Sequence, residues 1–101
     1  MIIYNVTTKV SRDIAAAWLI WLKEEHIPDL VQTGCFTHAV LLHLIESDDD
    51  EGITYAVQYY SETKALYNRY IENFSEEMRK KAINKWGSKF ISFRTLMEVV
   101  H

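Results

Sequence analysis

Alternation marks the start of the chain. Ile2, Tyr4, Val6, Thr8 and Val10 fall on one face and Ile3, Asn5, Thr7 and Lys9 on the other, so Ile2 to Val10 reads as a strand. The period then changes. Ile14, Ala17, Trp18, Trp21 and Leu22 recur at helical spacing, with Ser11 as an N-cap and Asp13 placing negative charge in the first turn. Pro28 has no N–H and crowds the turn before it, so the helix is expected to break or kink near His26. A short second piece, Pro28 to Thr33, ends on Gly34, a residue free to take the left-handed conformation.

The second half repeats the alternation of periods. Phe36 to Ile45 reads as a strand, apolar on both faces: Phe36, Val40, Leu42 and Leu44 against Ala39, Leu41 and Ile45. Ser47 to Gly52 is a hairpin turn, and Ile53 to Tyr60 is a third strand with Ile53, Tyr55, Val57 and Tyr59 on one face. A helix starts at Ser61 or Thr63 and carries Leu66, Tyr70 and Phe74 as its stripe. Ser75, Glu76 and Glu77 form a fresh N-terminus, so a kink or a second helix is expected there. Met78, Ala82, Ile83 and Trp86 continue the stripe to Gly87, and Phe90 to Val100 is the last strand. The order β-α-β-β-α-β predicts an α+β, ferredoxin-like domain over residues 1–101. Two right-handed crossovers place the helices on one face of a four-stranded antiparallel sheet.

That plan leaves the other face bare, yet the strands are apolar on both sides. Tyr55 and Tyr59 oppose Ala56 and Tyr60, and Ile91 and Phe93 oppose Phe90 and Leu96. So large an uncovered apolar face calls for a second copy packed sheet to sheet. A homodimer through the uncovered face is therefore expected, with Phe90 and Leu96 placed on it. The contact of the first strand with the last is left open.

Composition narrows the function classes. The chain has 101 residues, 49% of them hydrophobic, and a formal net charge of -3. An acidic balance opposes phosphate backbones, so nucleic acid is not an expected partner. The Glu51 to Gln58 stretch also lacks the basic lead and spaced aromatics of an RNA-reading strand. No apolar run has the length of a membrane span, and the first ten residues do not read as a signal peptide. Cys35 stands alone and implies no disulfide. The expected location is the cytoplasm.

Candidate chemistry gathers around the helix break, where Trp18 and Trp21 precede His26-Ile27-Pro28-Asp29. A histidine there has two readings: a general base, which needs an orienting neighbour and a pKa near working pH, or a helix-end residue serving the last carbonyls. Asn5, Thr7, Ser92, Arg94 and Glu98 are polar strand positions, and Arg94 suits either Glu98 or a bound anion. No metal site is expected. His38 and His43 are five apart on one strand and face opposite ways, His101 is terminal, and Asp48-Asp49-Asp50-Glu51-Gly52 lacks the ligand spacing of a calcium loop. No Gly-rich phosphate loop or nucleophile elbow is present in the sequence.

Several pieces together resemble a bacterial family of roughly 100-residue proteins of unknown function. They are Met1-Ile2-Ile3-Tyr4-Asn5-Val6-Thr7, Trp18-x-x-Trp21, His26-Ile27-Pro28-Asp29, Gly34-Cys35-Phe36, Thr54-Tyr55-Ala56-Val57-Gln58-Tyr59 and Phe90-x-x-Phe93-Arg94-Thr95-Leu96. The resemblance implies a subunit similar to the dimeric α+β barrel superfamily and brings no activity, substrate or catalytic residue with it. Oxygenases and haem-degrading enzymes of that superfamily use a pocket between helices and sheet. By that similarity Asn5, Trp18, Trp21, His26, Tyr55 and Tyr67 would line one here, and Arg94 joins them as a ligand-binding candidate. The haem-degrading pattern needs a His on the second helix, which this chain lacks, so no cofactor is expected. Two functions stay open: a homodimeric ligand-binding or interaction module, or a cofactor-free enzyme of oxygenase or isomerase type. A closed pocket beneath the first helix with convergent polar groups would favour the enzyme, and aromatic bulk filling that space the module.

Overall fold

The computed structural model describes residues 1–45 and 51–100. The expected Ser47–Gly52 turn, with Asp48, Asp49 and Asp50, lies almost wholly outside the described residues, as does His101. Strand β1 (Ile2–Ser11) leads through helix α1 (Ala15–Trp21), one π-helical stretch (Leu22–His26) and helix α2 (Ile27–Gln32) to β2 (His38–His43). Then follow β3 (Gly52–Ser61), helices α3 (Lys64–Asn73) and α4 (Ser75–Trp86), and β4 (Phe90–Glu98). The sheet runs β2-β3-β1-β4, and every neighbouring pair is antiparallel. This is the ferredoxin-like arrangement, with helices over one face. β1 and β4 are direct neighbours, which settles the contact that alternation alone leaves open.

Local chemistry explains the boundaries. Ser11 does not cap α1: it is the last residue of β1, and its carbonyl accepts from the Ile14 N–H at 3.2 Å. The helix does not break before Pro28 either. The Ile27 N–H reaches back five residues to the Leu22 carbonyl, and this π turn carries the chain past the proline without interruption. A regular α-turn would drive the proline ring against the carbonyl four residues earlier; the wider turn relieves that clash. Gly34, at φ +82°, ends α2 as expected. Thr63 caps α3, its hydroxyl oxygen accepting from the Leu66 N–H at 3.1 Å, and α4 starts afresh at Ser75.

The even positions of β1 carry the core. Tyr4 is its centre, with ring centroids of Phe36, Tyr59, Tyr67 and Tyr70 within 6.0 Å. Phe36 belongs here and not with Val40 and Leu42, because it precedes β2 and turns inward before the strand's alternation begins. The Ser61 hydroxyl donates to the Cys35 carbonyl at 2.9 Å, which pins this corner and leaves Cys35 as a buried packing residue.

The pairing register fixes both faces. Phe90 pairs with Val10 and Leu96 with Tyr4, so both lie on the helix side. The expectation that they occupy the uncovered face is therefore inverted. Ile91 and Phe93 occupy it instead, at 71% and 63% exposure, with Val40 and Leu42 of β2 at the opposite edge of the same face. One interior constraint is testable. A Cβ on Gly52 would stand 2.5 Å from the Val10 carbonyl oxygen, closer than packed atoms approach. Gly52→Ala should therefore cost about 1–3 kcal/mol in urea melts, with the parent's slope; unchanged stability would refute the close approach of β1 and β3 at this end.

Candidate functional site

A cavity of about 210 Å3 lies between the sheet and the helix layer. Its sheet side is built from even positions of β1 and β4 and odd positions of β3, among them Tyr4, Thr8, Tyr55, Ser92 and Arg94. Trp18, Trp21 and His26 line it from the first crossover, and Met78, Arg79 and Ala82 from α4. Two stacked pairs line it with ring faces: Trp18 on Tyr55 at 5.7 Å and Trp21 on His26 at 4.6 Å.

The second pair depends on the π turn. Residues five apart in a regular α-helix point about 140° apart around the axis. Bonding from residue i to i+5 brings them onto one side. Trp21 and His26 also line a shallow outer groove with Asp29 and Lys81, so the stacked rings separate the cavity from that groove.

Polar groups converge on the sheet side. The Arg94 Nε donates to the Tyr4 hydroxyl at 2.8 Å, and Thr8 and Ser92 share a hydrogen bond at 2.7 Å across the strands. Arg94 thus bonds to Tyr4, where the sequence suggested Glu98 or an anion. Burial raises the Tyr4, Tyr59 and Tyr70 phenols above their ordinary range, so all three stay protonated near neutral pH. Burial also lowers His26 to about 4, with Lys81 and Arg94 acting in the same direction and Asp29 opposing them. His26 is a neutral ring at neutral pH, and among the described residues no hydrogen bond orients it.

Of the residues singled out from the sequence, Trp18, Trp21, His26, Tyr55 and Arg94 meet at this cavity. Tyr67 does not line it; its ring packs on Tyr4 at 5.5 Å within the core. Asn5 lies on the opposite face of the sheet, where its amide donates to the Thr7 hydroxyl at 3.0 Å. Sequence reasoning missed Tyr4, Thr8 and Arg79. Alternation had already set Tyr4 and Thr8 on the same face as Val6 and Val10; Arg79 carries no local signal on its helix. Among the described residues, no cluster of three or more His, Cys, Asp or Glu is placed to hold a metal ion. Among the described residues, no helix is long and apolar enough to cross a membrane.

Residues 1–100 match the family model DUF4286, a domain of unknown function, and the chain belongs to that family. No curated protein sequence matches it. Among solved structures, it is similar to a dimeric ferredoxin-like protein from an uncultured marine organism, with a TM-score of 0.73 and 12% identity over 99% of this chain and 95% of that one. A second dimeric ferredoxin-like protein from an uncultured marine organism gives 0.71 and 14% over 100% and 96%. SnoaB, a cofactor-independent oxygenase from Streptomyces nogalater, gives 0.62 and 12% over 99% and 94%. At these identities the likeness is one of fold.

The neutral His26 has a consequence for stability. Its folded-state pKa of about 4 lies below the ordinary 6.5, so between these values the unfolded chain binds more protons than the native one. The contribution is complete above pH 6.5 and is lost as pH falls through the window towards 4. His26→Gln should flatten the fall in stability across that interval by about 2 kcal/mol relative to the parent. Parallel curves for the two proteins, from denaturant melts at each pH, would show that the ring is not buried neutral.

Proposed function

We propose that this chain acts as a homodimeric module that binds a small molecule between its helices and its sheet. The cavity of about 210 Å3 carries the reading. It exceeds the about 150 Å3 of an apolar cavity that takes up benzene, so a one- or two-ring molecule fits. Aromatic side chains wall the space without filling it, and a few hydroxyl and guanidinium groups converge on it, as binding sites require. Binding is favoured over turnover because His26 lacks two properties of a general base: among the described residues no hydrogen bond orients it, and its pKa lies well below neutrality.

The dimer would form through the open face. Ile91 and Phe93 on one edge strand and Val40 and Leu42 on the other present apolar surface around Asn5, Thr7 and Gln58. The similar marine proteins are described as dimeric, which supports the reading. The alternative is a cofactor-free oxygenase-type enzyme at the same cavity. His26 favours it to this extent: a neutral imidazole lining an aromatic-walled space is in the protonation state that accepts a proton.

Two measurements test these statements. Sedimentation equilibrium at micromolar concentration should give twice 11.9 kDa for the parent. Phe93→Asp should sediment as a monomer and Leu96→Asp, on the helix side, as a dimer; a monomeric parent would dispose of the sheet-to-sheet proposal. Native mass spectrometry of protein taken directly from cells should then retain a small molecule that denaturation releases chemically unchanged. A released product that forms from added precursor with time would shift the assignment to the enzyme.

A further inference from the structure

Resting on that small-molecule reading, we infer the chemical class of the ligand: a planar one- or two-ring molecule bearing a carboxylate, its rings between the aromatic walls and its anion at Arg79 and Arg94. The chain as a whole is acidic, at a net charge of -3, yet among the described residues no Asp or Glu lines the cavity. Two arginines do, one from α4 and one from β4. Both act on the same two phenols, Tyr4 and Tyr70, so their charges bear on one region of the cavity.

Among the described residues, no carboxylate pairs with either guanidinium. The ion pairs of the described residues join Lys80 to Glu76, Lys81 to Asp29 and Lys89 to Asp13, and none involves Arg79 or Arg94. Arg94 spends its Nε–H on Tyr4, which fixes the plane of its fork and leaves four N–H donors. Such a fork suits a carboxylate, which accepts two parallel hydrogen bonds. Both arginines are exposed over much of their surface, so they lie at the mouth while the indole and phenol rings line the interior. The ligand that matches this gradient is apolar and flat at one end and anionic at the other.

The opposite sign is disfavoured. An organic cation would meet two positive charges with no carboxylate to hold it. A neutral ligand would use the rings and leave both guanidiniums without a counter-charge. His26 adds no positive charge of its own near neutral pH, so discrimination rests on the two arginines.

Titration calorimetry of the full chain with 1-naphthoate, 1-naphthamide and 1-naphthylmethylamine tests the inference. The expected result is binding of naphthoate at least about tenfold tighter than naphthamide, with the amine weakest. In Arg79→Gln/Arg94→Gln the acid should fall to the affinity of the amide, whose own binding stays unchanged. An independent readout is His26 by NMR: a carboxylate beside Arg94 should raise its titration midpoint, whereas the amide should leave it in place.

Equal affinity of the parent for acid and amide would overturn the anionic ligand and leave the small-molecule cavity standing. Absence of binding by all three probes would overturn both readings. Conversion of the double variant to a monomer, with its preference for the acid intact, would reassign the arginines to a contact with the second copy and refute the inference.

Discussion

The site depends on one missing hydrogen-bond donor. Pro28 lies within a continuous helical crossover, and the chain passes it without ending the helix. A regular helix would clash at this point, so one turn widens to π geometry over Leu22–His26. That single adjustment rotates His26 onto the face of Trp21. The stacked pair forms part of one wall of the cavity, where burial, with Lys81 and Arg94 acting the same way, lowers the imidazole's pKa. Regular α geometry would point the two rings in different directions and leave the wall open. The conformational irregularity and the candidate site are thus one feature.

A second constraint is topological. Both crossovers lie over the same face of the sheet, so each strand meets two environments. On the covered face the Tyr4 cluster packs densely at one end, and Tyr4 and Tyr70 also line the cavity that continues under Trp18, Trp21 and α4. On the bare face apolar edge strands flank a polar centre at Asn5, Thr7 and Gln58. Those amides are already satisfied within the face, Asn5 donating to Thr7 and Gln58 accepting from Tyr60.

Alternation made β1 and β3 legible because hydrophobic and polar residues contrast along them. It failed on β4, where Phe90, Ile91, Phe93 and Leu96 are apolar on both faces and parity has nothing to distinguish. Only pairing with β1 resolves which side is which: Val10 takes Phe90 and Tyr4 takes Leu96. Phe36 misled for a different reason, since it shares the parity of Val40 but lies outside the strand. The candidate site was legible where its residues are neighbours in sequence, as with Trp18, Trp21 and His26. It was illegible where tertiary structure assembles it. Nothing local links Arg79 to Arg94, and Asn5 was grouped with the helix-side residues although its odd position in β1 sets it on the other face.

The charges decide what such a cavity is suited to do. Acid–base chemistry needs groups whose proton affinities straddle the working pH. Here the three phenols with raised values hold their protons and His26 has released its own, so near neutral pH these groups stay on one side of their titrations. What remains is hydroxyl groups, two guanidiniums and aromatic faces, of which the Thr8–Ser92 pair and the Arg94–Tyr4 pair are held by hydrogen bonds and the rings by stacking. Preorganised groups of that kind lower the cost of holding a ligand, because little has to be ordered on binding. Catalysis from the same surroundings would require the ligand itself to shift a proton affinity. A carboxylate beside Arg94 acts in that direction on His26, since it offsets one of the charges that hold the imidazole neutral. With the carboxylate ligand proposed above, any turnover would therefore depend on the bound anion.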